Sequence, residues 1–145
     1  MVPYSPRQMF ELVAAVDRYP EFLPWCRAAR ISHKEPGMML AELIITFKHL
    51  SEQYTSKVVL NTPQSEHSPC SIQVNMTEGP FHHLTNEWSF TPHGDGTQID
   101  FFLDFKFRSK FLEALIGTLF GRATEKMVSA FHARAQALYG SKVAS

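Results

Sequence analysis

The sequence predicts an α+β fold in which a curved antiparallel sheet of six to seven strands wraps around a long C-terminal helix. Three observations support this prediction. A short amphipathic helical pattern opens the chain, runs of alternating apolar and polar residues follow it, and an unbroken helical pattern covers residues 110–139. The 145 residues can bury one substantial core, so we expect a single domain over residues 1–145.

Two short helices are predicted before the sheet. Ser5 can cap a helix whose first residue is Pro6, since serine favours the N-cap position and proline the first helical position. Apolar residues then recur at helical spacing through residue 15. Asp17 can cap a further turn of helix around residues 19–22, which nearby prolines keep short.

Five runs alternate with a period of two, as expected for strands with one face buried and one face in water. They cover residues 38–49, 51–60, 71–76, 82–90 and 98–108, and turn-forming residues separate them. The links are short, so an antiparallel meander is predicted. The last run is the clearest: Phe101 and Phe105 share the inward face, and Asp100 and Asp104 face outward.

Four polar residues have the parity of the inward face: Tyr54, Ser56, His82 and Asn86. A buried polar group must find a hydrogen-bond partner. That partner is either another group of the protein or an oxygen of a bound ligand. A few placed polar groups in an apolar pocket are what a small-molecule site requires.

The C-terminal helix is apolar over roughly 200° of its circumference, about twice the usual minimum stripe. It also contains Gly117 and Gly121, and each glycine costs about 1 kcal/mol in a helix interior. One interpretation is that the helix closes an apolar cavity under the sheet. The other is that the broad face is simply well packed, with the glycines allowing close contact to the sheet.

Composition excludes some function classes. Fourteen basic and fourteen acidic side chains give a net charge of zero, so nothing global points to DNA as a partner. The seven histidines lack the spacing that zinc requires, and no phosphate loop or nucleophile elbow is present. Cys26 and Cys70 are expected to be reduced thiols. We therefore expect no metal, no required cofactor and no catalytic residue, and thus no enzyme.

Long segments of the chain resemble the coenzyme Q-binding protein family, a branch of the START-like and polyketide-cyclase-like superfamily. They read "VPYSPRQMFELVAAVDRYPEFLPWC", "EGPFHHLTNEWSF", "DFFLDFKFRS" and "MVSAFHARAQALYG". The resemblance implies the helix-grip fold of START domains. The family usually has a first strand of several residues before the Pro-Tyr-Ser-Pro motif. Only Met1 and Val2 precede the motif here, so we expect either that this strand is short or that the chain was trimmed.

The resemblance implies ubiquinone binding in an apolar tunnel, as a carrier or chaperone that supports quinone synthesis and respiratory electron transport. Bacterial members also resemble a ribosome-association toxin that binds the large subunit and inhibits translation. The superfamily further includes cyclase and aromatase enzymes. Ubiquinone or a similar isoprenoid lipid, peripheral membrane contact and, in the alternative, the ribosome are the implied partners. The implied location is the bacterial cytoplasm or inner membrane, or the matrix side of the mitochondrial inner membrane.

These arguments give a set of candidate site residues. The cavity-lining candidates are Trp25, Leu43, Ile45, Tyr54, Leu84, Asn86, Trp88, Phe101, Leu103, Leu112, Ile116, Phe120 and Met127. Phe22, Leu23 and Trp25, in a proline-bounded turn, are candidates for contact with a membrane, with ordinary core packing as the alternative. A ribosome-binding face would draw on Arg27, Arg30, Lys34, Arg108, Lys110, Arg122, Lys126 and Arg134, whose usual role is a solvated surface.

Overall fold

A computed structural model describes residues 2–47, 50–110 and 123–140. They form an α-helix α1 (Pro6–Ala14), a 3-10 helix (Val16–Glu21), six strands and a C-terminal α-helix α2 (Ala123–Tyr139). The strands are β1 (Cys26–Glu35), β2 (Met38–Phe47), β3 (Leu50–Asn61), β4 (Cys70–Glu78), β5 (Phe81–His93) and β6 (Gly96–Phe107). They pair antiparallel in sequence order, which confirms the predicted α+β meander.

The first helix begins where the sequence predicts. The Ser5 hydroxyl accepts a hydrogen bond from the Gln8 backbone N–H at 3.2 Å, and the Gln8 side-chain oxygen accepts one from the Ser5 N–H at 2.9 Å. This reciprocal pair satisfies two donors at the helix start. The second helix differs from the prediction, because it already begins at Val16 and contains Asp17 in its first turn. Asp17 therefore does not cap it.

The edge strand β1 has no counterpart among the five predicted runs. Register shifts interrupt its pairing with β2 between Cys26 and Ala28 and again between Ile31 and His33. Each irregularity resets the alternation of faces, and most of the strand is exposed. Before the Pro-Tyr-Ser-Pro motif, Val2 forms a single bridge to Thr97, with both backbone hydrogen bonds at 3.0 Å.

The inward face of the sheet follows the predicted alternation along β2 to β6. Trp88 is 2% exposed, whereas Phe102, on the outward face of β6, is 53% exposed. The prediction for His82 is wrong. A register shift between Phe81 and His83 breaks the alternation at the start of β5, so Phe81 is buried and His82 is exposed.

An aromatic cluster holds α2 against the sheet. The Phe131 ring lies 5.0 Å from Trp88 on β5 and 5.3 Å from Tyr19 on the 3-10 helix, measured between ring centroids.

The helix α2 ends at Gly140 as predicted, with a φ of 77° at Gly140 and its N–H bonded to the Gln136 carbonyl. The predicted start of this helix, including Gly117 and Gly121, lies outside the described residues.

The bridge between Val2 and Thr97 depends on Gly96, the first residue of β6. A Cβ atom added to Gly96 would lie 2.1 Å from the Val2 carbonyl oxygen. We expect Gly96→Ala to force the N-terminal segment off the sheet and to lower the free energy of unfolding by about 1–3 kcal/mol, the usual range for overpacking. Urea denaturation measures the loss.

The neighbouring Gly94 provides the control. Its φ is +59° and no heavy atom lies within 4 Å of an added Cβ. Asparagine tolerates this left-handed conformation, so Gly94→Asn should leave stability nearly unchanged. If Gly94→Asn and Gly96→Ala lower the free energy of unfolding equally, the loss at position 96 does not come from the contact with Val2.

Candidate ligand cavity

A cavity of about 200 Å³ lies between the inward face of the sheet, the 3-10 helix and the first part of α2. Its wall is almost entirely apolar. Strands β2 to β6 contribute alternate residues to this wall, because their side chains point inward with a period of two. Tyr19 and Val16 close it on one side, and Met127 reaches it from α2.

Nine of the predicted lining residues lie on the cavity wall: Trp25, Leu43, Ile45, Tyr54, Leu84, Asn86, Trp88, Leu103 and Met127. Phe101 does not line the cavity, because its ring packs against Trp88 with the centroids 4.4 Å apart. Leu112, Ile116 and Phe120 lie outside the described residues. Contact of any of these side chains with a ligand stays a prediction.

The sequence analysis missed several wall residues. Phe81 is inward only because of the irregularity at the start of β5, which no pattern signals. Glu52 pairs with Ile45 across β2 and β3 and lines the cavity. Extending the alternation of Tyr54 and Ser56 back by two residues would have identified it.

Two buried polar atoms in the cavity wall lack a hydrogen-bond partner among the described residues: the Ser56 hydroxyl oxygen and the Asn86 side-chain oxygen Oδ1. Ser56 is 0% exposed and Asn86 is 9% exposed. Leaving such a group unpaired costs about 1–3 kcal/mol. Within the described part of the chain, these two atoms therefore lack the internal hydrogen-bond partner that the sequence allowed.

Two charged side chains are among the described wall residues. Glu52 and the polar Thr46 lie close to the β2–β3 connection, and Lys126 lies near the start of α2. The Thr46 N–H bonds to the Trp25 carbonyl at 2.9 Å, which ties the end of β2 to the segment after the 3-10 helix.

Burial keeps the other titratable groups of the wall neutral. It raises the pKa of the Cys26 thiol from 9.0 to about 11, and it raises the pKa of Tyr19 and Tyr54 above their ordinary value. The Tyr19 hydroxyl donates to the Val13 carbonyl. Within the described ranges, no group of histidine, cysteine and carboxylate residues can hold a metal ion.

The membrane-contact candidates are placed differently from one another. Leu23 is 2% exposed and lines the cavity, so its predicted contact with a membrane is wrong. It turns inward because the 3-10 helix directs it toward the sheet. Phe22 packs edge-on against Phe131 and lies under the Arg134 guanidinium. Phe22 and Trp25 are only partly buried, and their membrane contact stays a prediction. None of the described helices is long and apolar enough to cross a membrane.

The candidate basic residues are divided between the two edge strands and α2 in the described structure. Arg27, Arg30 and Lys34 lie on β1, whereas Arg108 and Lys110 follow β6 at the other edge of the sheet. Internal partners also occupy several of them. Arg30 pairs with Glu42, Arg134 pairs with Glu21 at 2.9 Å, and Arg108 donates to the Phe81 carbonyl at 2.9 Å. Arg122 lies outside the described residues.

Sequence comparison identifies the family. The family model described as "Polyketide cyclase / dehydrase and lipid transport" matches residues 2–132. The chain belongs to this family. Solved structures share the fold: an aromatase/cyclase, Zhui, from Streptomyces sp. R1128 superposes with a TM-score of 0.77 at 18% identity, covering 93% of this chain and 88% of that one. A START superfamily protein from Mycobacterium smegmatis gives 0.74 at 19% identity, covering 94% and 93%. The helix-grip, START-like fold is thus confirmed.

Both branches that the sequence resembles are represented among its relatives in this family. The ribosome association toxin RatA of Rickettsia prowazekii is 43% identical over 136 residues, covering 94% of this chain and 92% of that protein. The coenzyme Q-binding protein COQ10 homolog B, mitochondrial, of Xenopus laevis is 30% identical over 142 residues, covering 94% of this chain and 56% of that protein.

The buried thiols predict a loss of stability at high pH. Cys26 and Cys70 each have a pKa raised to about 11 from 9.0 by burial. A raised pKa means that the unfolded chain loses its proton first. The resulting stability is therefore complete below about pH 9 and is lost as the pH rises toward 11. Between pH 8 and pH 10 we expect urea denaturation to show a loss on the order of 1 kcal/mol per cysteine.

The two cysteines serve as controls for each other. Cys26→Ala and Cys70→Ala should each make the decline shallower by a similar amount, and the double variant should make it shallowest. A decline that is identical in all four proteins would assign the alkaline loss to other groups.

Proposed function

We propose that this protein binds ubiquinone or a closely related isoprenoid lipid, as a carrier or chaperone in quinone synthesis and electron transport. One observation supports this most directly: an apolar cavity contains two buried polar atoms that lack partners among the described residues. A quinone headgroup matches this wall because its ring is flat and largely apolar, and its oxygens can form hydrogen bonds. Similarity to the coenzyme Q-binding protein of Xenopus laevis agrees with the proposal.

The size of the cavity favours the ring rather than the tail. About 200 Å³ is below the ~300–1,000 Å³ typical of pockets that enclose whole drug-sized ligands. A bulky aromatic wall of Trp88, Tyr54 and Phe81 can stack on a ring. The isoprenoid tail would then extend past the cavity, where the flexible thioether of Met127 offers an adaptable contact.

A carrier fits the wall better than a cyclase or aromatase does. General acid–base catalysis needs a group that exchanges a proton near the operating pH. Inside this cavity, burial raises the pKa of Tyr19, Tyr54 and Cys26 and keeps them protonated. The charged groups among the described wall residues are Glu52 and Lys126.

Association with the large ribosomal subunit is the second candidate function. It is favoured by 43% identity to RatA of Rickettsia prowazekii over nearly the whole of both chains. Phosphate contacts make such binding salt-dependent. Cosedimentation with large subunits that is strong at low salt and lost at higher salt would support it. Absence of cosedimentation at low salt would remove it.

The proposed quinone site can be tested by filling the cavity. Val74 lies on the wall beside Asn86 and Val58, so Val74→Phe should occupy the space of the ring. We expect at least tenfold weaker binding of decylubiquinone and a melting temperature within a few degrees of the parent. Both tryptophans of the chain, Trp25 and Trp88, line the cavity, so intrinsic fluorescence reports binding.

A matched variant on the other face separates blocking from general damage. Val59 is the neighbour of Val58 on β3 and has the opposite parity, so Val59→Phe should bind as the parent does. Organic extraction of the natively purified parent should also release a quinone that mass spectrometry identifies. Unchanged binding by Val74→Phe, together with no extracted quinone, would contradict the proposal.

A further inference from the structure

We infer that the Tyr54 hydroxyl recognises the ligand in the cavity, through a hydrogen bond to an oxygen atom on the ligand's ring. This role rests on the proposed function, because it names the residue that selects the headgroup at the same site. The cavity would then prefer an oxygen-bearing ring to a hydrocarbon ring of the same shape.

Two other neutral polar groups of the wall already have partners inside the protein. The Tyr19 hydroxyl donates to the Val13 carbonyl, and the Cys26 thiol donates to the Ala28 carbonyl at 3.6 Å. The Tyr54 hydroxyl has no hydrogen-bond partner among the described residues. It is therefore available to a ligand.

Tyr54 also has access to the cavity that the unpaired oxygens of Ser56 and Asn86 lack. Those two oxygens are fully buried, whereas Tyr54 is only partly buried and lines the cavity. Burial nevertheless raises the pKa of the Tyr54 hydroxyl, so this hydroxyl lies where little water surrounds it. A hydrogen bond is stronger in such surroundings than in water.

The remaining polar residues of the described wall are less suited to this role. Lys126 is exposed, so water already binds its charge. Thr46 has the parity opposite to that of the wall residues Leu43 and Ile45. Glu52 is partly buried and charged, so Glu52→Gln is needed as a comparison.

Neighbouring groups hold the Tyr54 side chain in place. The Phe81 ring packs edge-on against it, with the ring centroids 5.7 Å apart. Gly79, between β4 and β5, lies so close that a Cβ atom added to it would be 2.5 Å from the Tyr54 Cβ. A side chain that is already held loses little conformational freedom when it binds a ligand.

The chemistry of a tyrosine hydroxyl defines the class of ligand. It can donate and it can accept, so it can pair with a carbonyl oxygen or with a hydroxyl. It therefore does not distinguish the oxidised from the reduced form of a quinone. A hydrocarbon ring offers no partner at all, and a buried polar group that is left unpaired is unfavourable.

The test uses ligand pairs of matched shape and measures one ratio. Tryptophan fluorescence titrations compare para-butylphenol with para-butyltoluene, and para-butylbenzaldehyde with para-butylstyrene. For each pair, the dissociation constant of the hydrocarbon is divided by that of the oxygenated member. The two ligands of a pair differ in hydration by the same amount for every protein, so this difference cancels when the ratios of two proteins are compared.

Tyr54→Phe removes only the hydroxyl. We expect it to lower both ratios about tenfold relative to the parent, as for the loss of one hydrogen bond. The melting temperature of the ligand-free protein should be unchanged or higher, because this hydroxyl has no partner among the described residues. Tyr139→Phe is the matched control outside the cavity, where the hydroxyl donates to the Gln8 carbonyl at 2.9 Å. It should keep the parent's ratios and lower the melting temperature.

A second measurement does not depend on the folding of Tyr54→Phe. The chain has four tyrosines, and labelling them with ¹³C at Cζ gives each hydroxyl-bearing carbon its own NMR signal. The Tyr54 signal is the one that persists in the Phe variants of Tyr4, Tyr19 and Tyr139. It should move more with the oxygenated member of a pair than with the hydrocarbon. Equal shifts would contradict the role of Tyr54.

Decylubiquinone separates this role from the proposed function. If decylubiquinone does not bind the parent, the proposed function fails, and the ligand pairs alone decide the role of Tyr54. A fall of either ratio in Tyr54→Phe supports the role and identifies the type of oxygen that is recognised. Two unchanged ratios overturn it, even where decylubiquinone binds. Ratios that fall in Glu52→Gln but not in Tyr54→Phe, or binding of neither member of either pair, also overturn it.

Discussion

The contact between Phe131 and Trp88 is the constraint on which the rest of the structure depends. It joins α2 to β5 of the sheet, and the same Phe131 ring also packs against Tyr19 of the 3-10 helix. Three elements therefore meet at one buried aromatic side chain. Because this contact fixes α2 at one place, residues nearer its start reach the cavity, and Met127 both lines the cavity and packs against the core.

The same sheet face thus serves two purposes along its length. Near Phe90 and Ile72 it is closed by tightly packed side chains, which stabilise the fold through burial of apolar surface. Near Ser56 and Asn86 it borders the cavity and keeps polar atoms without described partners. The free energy gained by apolar burial in the packed part must offset the free energy that the unpaired polar atoms cost. A fold can in this way retain a site that makes it less stable.

Sequence pattern predicted the part of this arrangement that depends on parity. Leu43, Tyr54 and Trp88 lie on the cavity wall because each strand alternates strictly there. Pattern failed where pairing is irregular: β1 has two register shifts, and the shift beside Phe81 exchanged the faces of Phe81 and His82. Parity predicts which side of the sheet a residue faces, but it does not predict which residues surround it. It therefore could not distinguish Phe101, whose ring packs on Trp88, from the residues that line the cavity. The absence of partners for Ser56 and Asn86 likewise depends on three-dimensional neighbours.

Alternation also makes the two candidate functions physically separable. On each strand from β2 to β6, cavity residues point inward, while the outward residues between them face solvent. A surface that contacts a ribosome would use outward side chains such as Lys57, and a lipid would contact inward ones such as Val58. Substitutions one residue apart can therefore remove one activity and leave the other. Loss of both activities from an inward change that leaves the melting temperature unchanged would mean that the ligand controls the surface, because a fully buried side chain such as Val58 cannot reach a partner directly.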